Sequence, residues 1–125
     1  LLKCVYMGII KVKLTVKNIY DTTKQVEEEF LVDSGAHFTV LPFETVKILS
    51  LKPTYVQQFS LADGRMIKRS LGNALITFEN KEIAVSVVLG QKGDTALLGV
   101  TTLESFGLML DPFKRRIYHS KLMLA

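Results

Sequence analysis

The residues best suited to chemistry in this chain lie in the stretch FLVDSGAHFTVLP, from Phe30 to Pro42. Three apolar residues run straight into Asp33, the chain turns on Ser34-Gly35, and apolar residues resume. Asp-Ser-Gly alone is a common solvent-facing turn, because Asp and Ser side chains bond to nearby backbone. The flanking apolar runs point elsewhere: they carry Asp33 toward the interior, where a carboxylate is costly unless paired or hydrogen-bonded. Gly35 would bring a backbone N–H close to that carboxylate, and Ser34 adds a hydroxyl. Such a cradle suits an acid kept for function. Other chemistries fit less well. Ser34 lies in no Gly-x-Ser-x-Gly elbow, and His37 is too close in sequence to be its obvious base. Asp33, His37 and Asp94 are conceivable metal ligands, but their spacing matches nothing specific. Cys4 and the two histidines make no zinc-ligand set, and no metal is expected.

Composition bounds the setting for that acid. A chain of 125 residues suits one domain, 1–125, which buries roughly two thirds of the surface its unfolded chain exposes. At 48% hydrophobic residues and a mean hydropathy of +0.25, disorder is excluded as a class. No apolar run approaches the roughly 18 residues of a membrane span, and MGII is too short for a signal-peptide core. The chain opens on Leu1, as a trimmed or excised piece would. The net charge of +4 gathers around GRMIKR and FKRRIYHSK without aromatic interleaving, so it reads as a solvated basic face and no nucleic acid is expected. A lone cysteine points to a reducing compartment, hence the cytoplasm.

The elements that must position Asp33 read as mostly β. IKVKLTVKN alternates, with Ile10, Val12, Leu14 and Val16 on one face and Lys11, Lys13, Thr15 and Lys17 on the other. NIYDTTK is a turn, and VEEEFLV returns as the second strand of a hairpin that ends on Asp33. After the short extended HFTVLP, Pro42 opens PFETVKILS, where Phe43, Val46 and Leu49 have helical spacing. Proline suits a first helical position, and about two turns are expected before Pro53. Asp63-Gly64 marks a hairpin between two extended runs. A second hairpin turns at Glu79-Asn80-Lys81, with Ile83, Val85, Val87 and Leu89 facing inward. TALLG is a short strand. TTLESFG is a short helix, with Thr101 and Glu104 at capping-box spacing and Gly107 at its C-terminal end. LMLDP and KRRIYHSKLML are final extended segments.

Taken together, these motifs carry a resemblance. LVDSGA, Leu31 to Ala36, resembles the active-site signature of the retropepsin-like aspartic proteases, apolar-apolar-Asp-Ser/Thr-Gly-Ala. ALLGVTTLESFG is similar to that family's second signature, two apolar residues and a glycine followed by a short helix. The Asp63-Gly64 hairpin falls where the family's flap lies, and NKEIAVSVVL matches the strand pair before the second signature. The resemblance covers about residues 10–112, in order; the tail after Asp111 is longer than in the compact viral members. It implies an all-β, closed barrel or sandwich with one or two short helices, working as a symmetric homodimer without a cofactor on a polypeptide substrate. In that family two carboxylates share one proton and activate a water. Here Asp33 would be the catalytic acid/base. Ser34 would bond across the dimer axis, Gly35 would allow close backbone approach, and Ala36 would sit beside the carboxylate. Leu97, Leu98 and Gly99 would support the loop, with Gly99 leaving no room for bulk. Leu61, Ala62, Asp63, Gly64, Arg65, Met66 and Ile67 would form the flap, with a tip more polar than the viral one.

A second acid is missing from the chain. Asp94-Thr95 is followed by Ala96 rather than glycine, and Asp63 lacks the hydroxyl neighbour. A homodimer is the simplest completion. His37 and His119 are expected to be structural or solvated. Two alternatives stand beside the peptidase: a catalytically silent retropepsin-like module for dimerisation or peptide binding, and an unrelated small β-barrel.

Overall fold

The structure, a computed structural model, describes residues 2–5, 9–111 and 116–120. Strand β2 (Ile9–Lys17) alternates as its sequence demands: Ile10, Val12, Leu14 and Val16 are all buried. Its lysines take the other face, where Lys11 and Lys13 meet Glu29 and Glu27 at 3.9 and 3.7 Å and Lys17 meets Glu82 at 2.7 Å. These exposed pairs contribute little stability. They do oppose a one-residue register slip, which would bury the charges. Strand β3 (Gln25–Val32) returns antiparallel, pairing Val16 with Val26 and Lys11 with Leu31. A strand the sequence reading did not expect, β1 (Leu2–Val5), adds to the outer side of β2.

After Asp33 come β4 (Thr39–Leu41) and α1 (Phe43–Leu49). Pro42 occupies the N-cap, at φ −60° and ψ 154°, one position earlier than expected. The pyrrolidine ring fixes φ without requiring a helical ψ, so proline serves either position. Ser50 ends the helix in the left-handed region. Buried Asn18 ties the β2–β3 turn to this end: its amide donates to Leu49 O at 2.7 Å, and its carbonyl accepts the Tyr20 N–H at 2.7 Å.

Strands β5 (Tyr55–Ser60), β6 (Met66–Phe78) and β7 (Lys81–Leu89) follow. The long β6 runs unbroken through Gly72, so one strand serves both hairpins expected from the sequence. A Cβ at Gly72 would stand 2.8 Å from Lys52 O, which explains the missing side chain. Then come β8 (Leu97–Leu98), α2 (Val100–Ser105), β9 (Leu108–Asp111) and β10 (Arg116–His119). The final extended segment is thus described only over Arg116–His119 and Ser120; residues 112–115 and 121–125 lie outside the described residues.

The main sheet runs β1-β2-β3-β8-β4-β7-β6-β5, and a further β2–β6 pairing through Val16 and Ile76 closes it on itself. The fold is mostly β, a closed barrel, with β9 and β10 forming a separate two-stranded sheet. Phe30, Leu41, Leu49, Leu71, Ile76 and Val87 fill the interior with no exposed surface. Closure leaves β5 as one outer edge, and the hairpin it makes with β6 extends beyond the barrel.

Candidate active site

Asp33 is placed by a crossing of strands. β8 lies between β3 and β4, parallel to β3 (Leu31 beside Leu97, Val32 beside Leu98) and antiparallel to β4 (Val40 beside Leu97). The chain must therefore arch over the end of β8 to pass from β3 to β4, and Asp33 begins that arch. Its backbone N–H donates to Leu98 O at 3.2 Å, its carbonyl accepts the Ala36 N–H at 3.1 Å, and its Oδ1 accepts the Gly35 N–H at 2.8 Å. A side chain at Gly35 would crowd that oxygen, with Cβ 3.2 Å from Asp33 Oδ1.

The far leg of the arch is held by α2. The first N–H groups of a helix have no partner within it. Here Val100 N–H donates to Ala36 O at 2.8 Å and Thr101 N–H to His37 O at 3.1 Å, with the Thr101 hydroxyl adding a 2.8 Å bond to His37 O. The expected capping box is absent. Gly99 is the N-cap, without a side-chain cap bond, and Thr101 lies inside the helix, its hydroxyl taken by the arch. Gly107, at φ +72°, closes the C-terminal end.

Gly99 lies directly under the arch. A Cβ there would stand 2.4 Å from the carbonyl carbon of Phe38, 2.6 Å from its oxygen and 2.8 Å from His37 O. The Gly99 N–H donates to Thr39 Oγ1 at 3.0 Å, and that hydroxyl pairs with Thr102 Oγ1 at 2.6 Å. Both threonines have no exposed surface. Sequence reasoning passed over them; their one signal is a hydroxyl at a position the apolar neighbours make inward-facing. Thr39→Val should strand the Gly99 N–H and the Thr102 hydroxyl, costing about 2 kcal/mol. Thr39→Val/Thr102→Val should recover part of that loss in urea unfolding, because one orphaned group is gone.

Asp33 itself is half-buried and Ser34 and Gly35 are exposed, so the apolar run does not take the acid into the interior of its own chain. The reason is the arch, which lifts the loop off the barrel end. Two recesses flank it. Gly35, Ala36 and Phe38 line one, a groove of about 450 Å³ whose opposite wall is Phe59, Leu61 and Ile67 of the β5–β6 hairpin. Phe38 and Phe59 meet edge-to-face across it, ring centroids 6.1 Å apart. Ser34 opens onto the other recess, of about 480 Å³, with Val100, Leu103, Leu108 and Met109.

The hairpin expected at Asp63-Gly64 is present, but with a longer tip than a two-residue turn. The last strand pair is Ser60 with Met66, and residues 61–65 form the tip, closed by Leu61 N–H to Arg65 O at 2.8 Å. Gly64 takes the positive φ, +88°, while Asp63 instead accepts the Arg65 backbone N–H at 3.0 Å and its Nε–H at 2.7 Å. Those bonds hold the Asp63 carboxyl below the usual carboxylate range. Leu61 and Ile67 face the groove; Ala62, Asp63, Gly64, Arg65 and Met66 are exposed. Leu97 lines the groove and Leu98 is buried behind the arch.

Asp94 does not join Asp33. It forms an ion pair with Arg69, and the described residues contain no cluster of acids, histidines or cysteines able to hold a metal ion. His37 and His119 are exposed, His119 lying 4.0 Å from Glu79. No helix among the described residues is long and apolar enough to cross a membrane.

The fold as a whole has counterparts among solved structures. A retropepsin-like aspartic protease from Rickettsia conorii superposes with a TM-score of 0.61 at 19% identity, over 88% of this chain and 82% of that one. The EIAV protease, solved with an inhibitor bound, superposes with a TM-score of 0.54 at 18% identity, over 91% of each chain. The chain has the retropepsin-like fold. No protein-family model matches its sequence, and no curated protein matches it by sequence. The likeness is therefore one of backbone: a retropepsin-like barrel is built here from a largely different set of side chains.

Proposed function

We propose that this chain is an aspartic endopeptidase that works as a symmetric homodimer, each protomer contributing Asp33. The observation that carries the reading is the arch. It holds a carboxylate with one oxygen tied to the Gly35 N–H, and Gly35 itself lines a groove walled on its far side by a projecting hairpin. An extended polypeptide would lie in that groove, with the hairpin as a flap adding backbone bonds and excluding water. Two Asp33 carboxylates meeting at the two-fold axis would share one proton, since like charges that close cannot both ionise easily. One would take a proton from the attacking water while the other hydrogen-bonds the scissile carbonyl. Ser34 would fix the paired loops, and Gly35, Ala36, Leu97, Leu98 and Gly99 would hold the arch in place.

The face beside Ser34 suits a second copy. Its recess is lined by Leu103 and Leu108, and beside it the cross-strand partners Met109 and Tyr118 are 48% and 39% exposed. Exposed apolar surface rimmed by polar groups marks association sites. A digest of a broad peptide library from acid to neutral pH tests the activity; no cleavage by the concentrated, associated protein would overturn it. Specific activity should fall on dilution in step with dissociation measured by sedimentation. Constant specific activity in a demonstrated monomer would contradict the shared site.

A further inference from the structure

The flap hairpin leaves the barrel at a definable residue. β6 pairs with β5 from Leu71 to Met66, but with β7 only from Ser70 onward. Arg69 is the first β6 residue toward the tip with a strand on one side only. Its guanidinium is gripped there: Nε–H donates to Asp94 Oδ2 at 2.7 Å, Nη2–H to Asp94 Oδ1 at 3.1 Å, and Nη1–H to Lys68 O at 2.9 Å. Asp94 is fixed in turn, its Oδ2 accepting the Gln91 N–H at 2.8 Å and its N–H donating to Gln91 O at 2.9 Å. The two side chains are only 17% and 23% exposed, and both line the groove that Gly35 and Ala36 also line.

We infer that the Arg69–Asp94 pair tethers the flap to the segment leading into β8 and keeps the groove electrically neutral, so that it selects uncharged substrate side chains. Its part in substrate selection rests on the peptidase reading; the tether does not. A two-stranded hairpin beyond its sheet is marginal by itself. A bidentate fork fixes orientation as well as distance, which a single lysine contact would not. Partial burial keeps water from competing. The Arg69 hydrogen bond holds the Asp94 carboxyl below its usual range, against the opposing effect of burial, so the pair stays ionised in mild acid. While both charges are present they cancel. Removing one leaves the other bare in the groove.

Two measurements on the full chain test this. The first needs no catalysis: amide hydrogen exchange of wild type, Asp94→Asn and Arg69→Gln. Exchange over residues 57–68 should accelerate about tenfold in each variant, with residues 71–78 unchanged. Unchanged flap exchange would overturn the tether, whether or not the protein cleaves peptides. The second compares cleavage of a peptide library varied around the scissile bond. For uncharged peptides, KM should rise about fivefold with kcat within about twofold. Asp94→Asn should shift selection about tenfold toward acidic side chains and Arg69→Gln toward basic ones. Arg69→Gln/Asp94→Asn, which leaves no bare charge, should return to uncharged side chains. A merely structural pair would lower all peptides alike, and that result would overturn the selection role while leaving the peptidase assignment intact. A wild type that cleaves nothing would end the assignment and the selection role, and leave the tether to be decided by exchange.

Discussion

Asp33→Asn is expected to lower peptide cleavage by at least about 10³-fold while the barrel remains folded. The two halves of this result have separate physical causes. Asn keeps a carbonyl oxygen at the Oδ1 position, so the Gly35 N–H, now 2.8 Å from Oδ1, retains its acceptor. Asp33 is only half-buried and its backbone bonds to Leu98 and Ala36 do not involve the side chain. Stability should therefore change by no more than about 1 kcal/mol. The amide cannot take a proton from water, and a pair of amides has no proton to share. Association of the protomers should be undiminished, because the substitution removes a like-charge contact at the proposed axis. Circular dichroism, sedimentation and a quenched-peptide assay measure the three quantities side by side. Cleavage that survives in Asp33→Asn would remove this acid from the chemistry.

Gly99→Ala is expected to lower stability and remove activity together. The atoms its Cβ would strike, at 2.4, 2.6 and 2.8 Å, are backbone atoms of Phe38 and His37, which cannot swing aside. The arch would have to rise. The bonds from Gly99 to Thr39, Val100 to Ala36 and Thr101 to His37 would stretch together. A cost of about 3 kcal/mol follows, lowering the thermal midpoint by about 10 °C for a chain of this size, with cleavage lost even where the protein stays folded. Gly64→Ala is the control. Nothing lies within 4 Å of its Cβ, and only its positive φ of +88° is strained, a cost of about 1 kcal/mol. A Gly99→Ala midpoint equal to that of Gly64→Ala would show that the arch is softer than its contacts imply.

The readings that held were those resting on local periodicity and on residues with one physical use. Alternation in IKVKLTVKN produced β2, the Phe43–Val46–Leu49 spacing produced α1, and Gly107 ended α2 in the left-handed region. Asp33-Ser34-Gly35 stood out because a carboxylate closing an apolar run needs a nearby donor, and Gly35 supplies one within the tripeptide.

Where the readings missed, the partner lay far along the chain. Thr101 looked like a cap, but its hydroxyl bonds to His37, 64 residues away. Thr39 and Thr102 looked ordinary, and they meet only because β8 inserts between β3 and β4. Asp94 looked like a candidate metal ligand or second acid, yet the return of β6 past the 91–94 turn makes it the partner of Arg69. Even the depth of Asp33 was misjudged, since apolar neighbours in sequence cannot reveal that the chain lifts off the barrel end to arch over Gly99. Local pattern was enough to mark the strands and to pick out an acid with its own donor. How that acid is held against β8 and α2 follows from strand crossing and sheet closure, long-range contacts that no local pattern encodes.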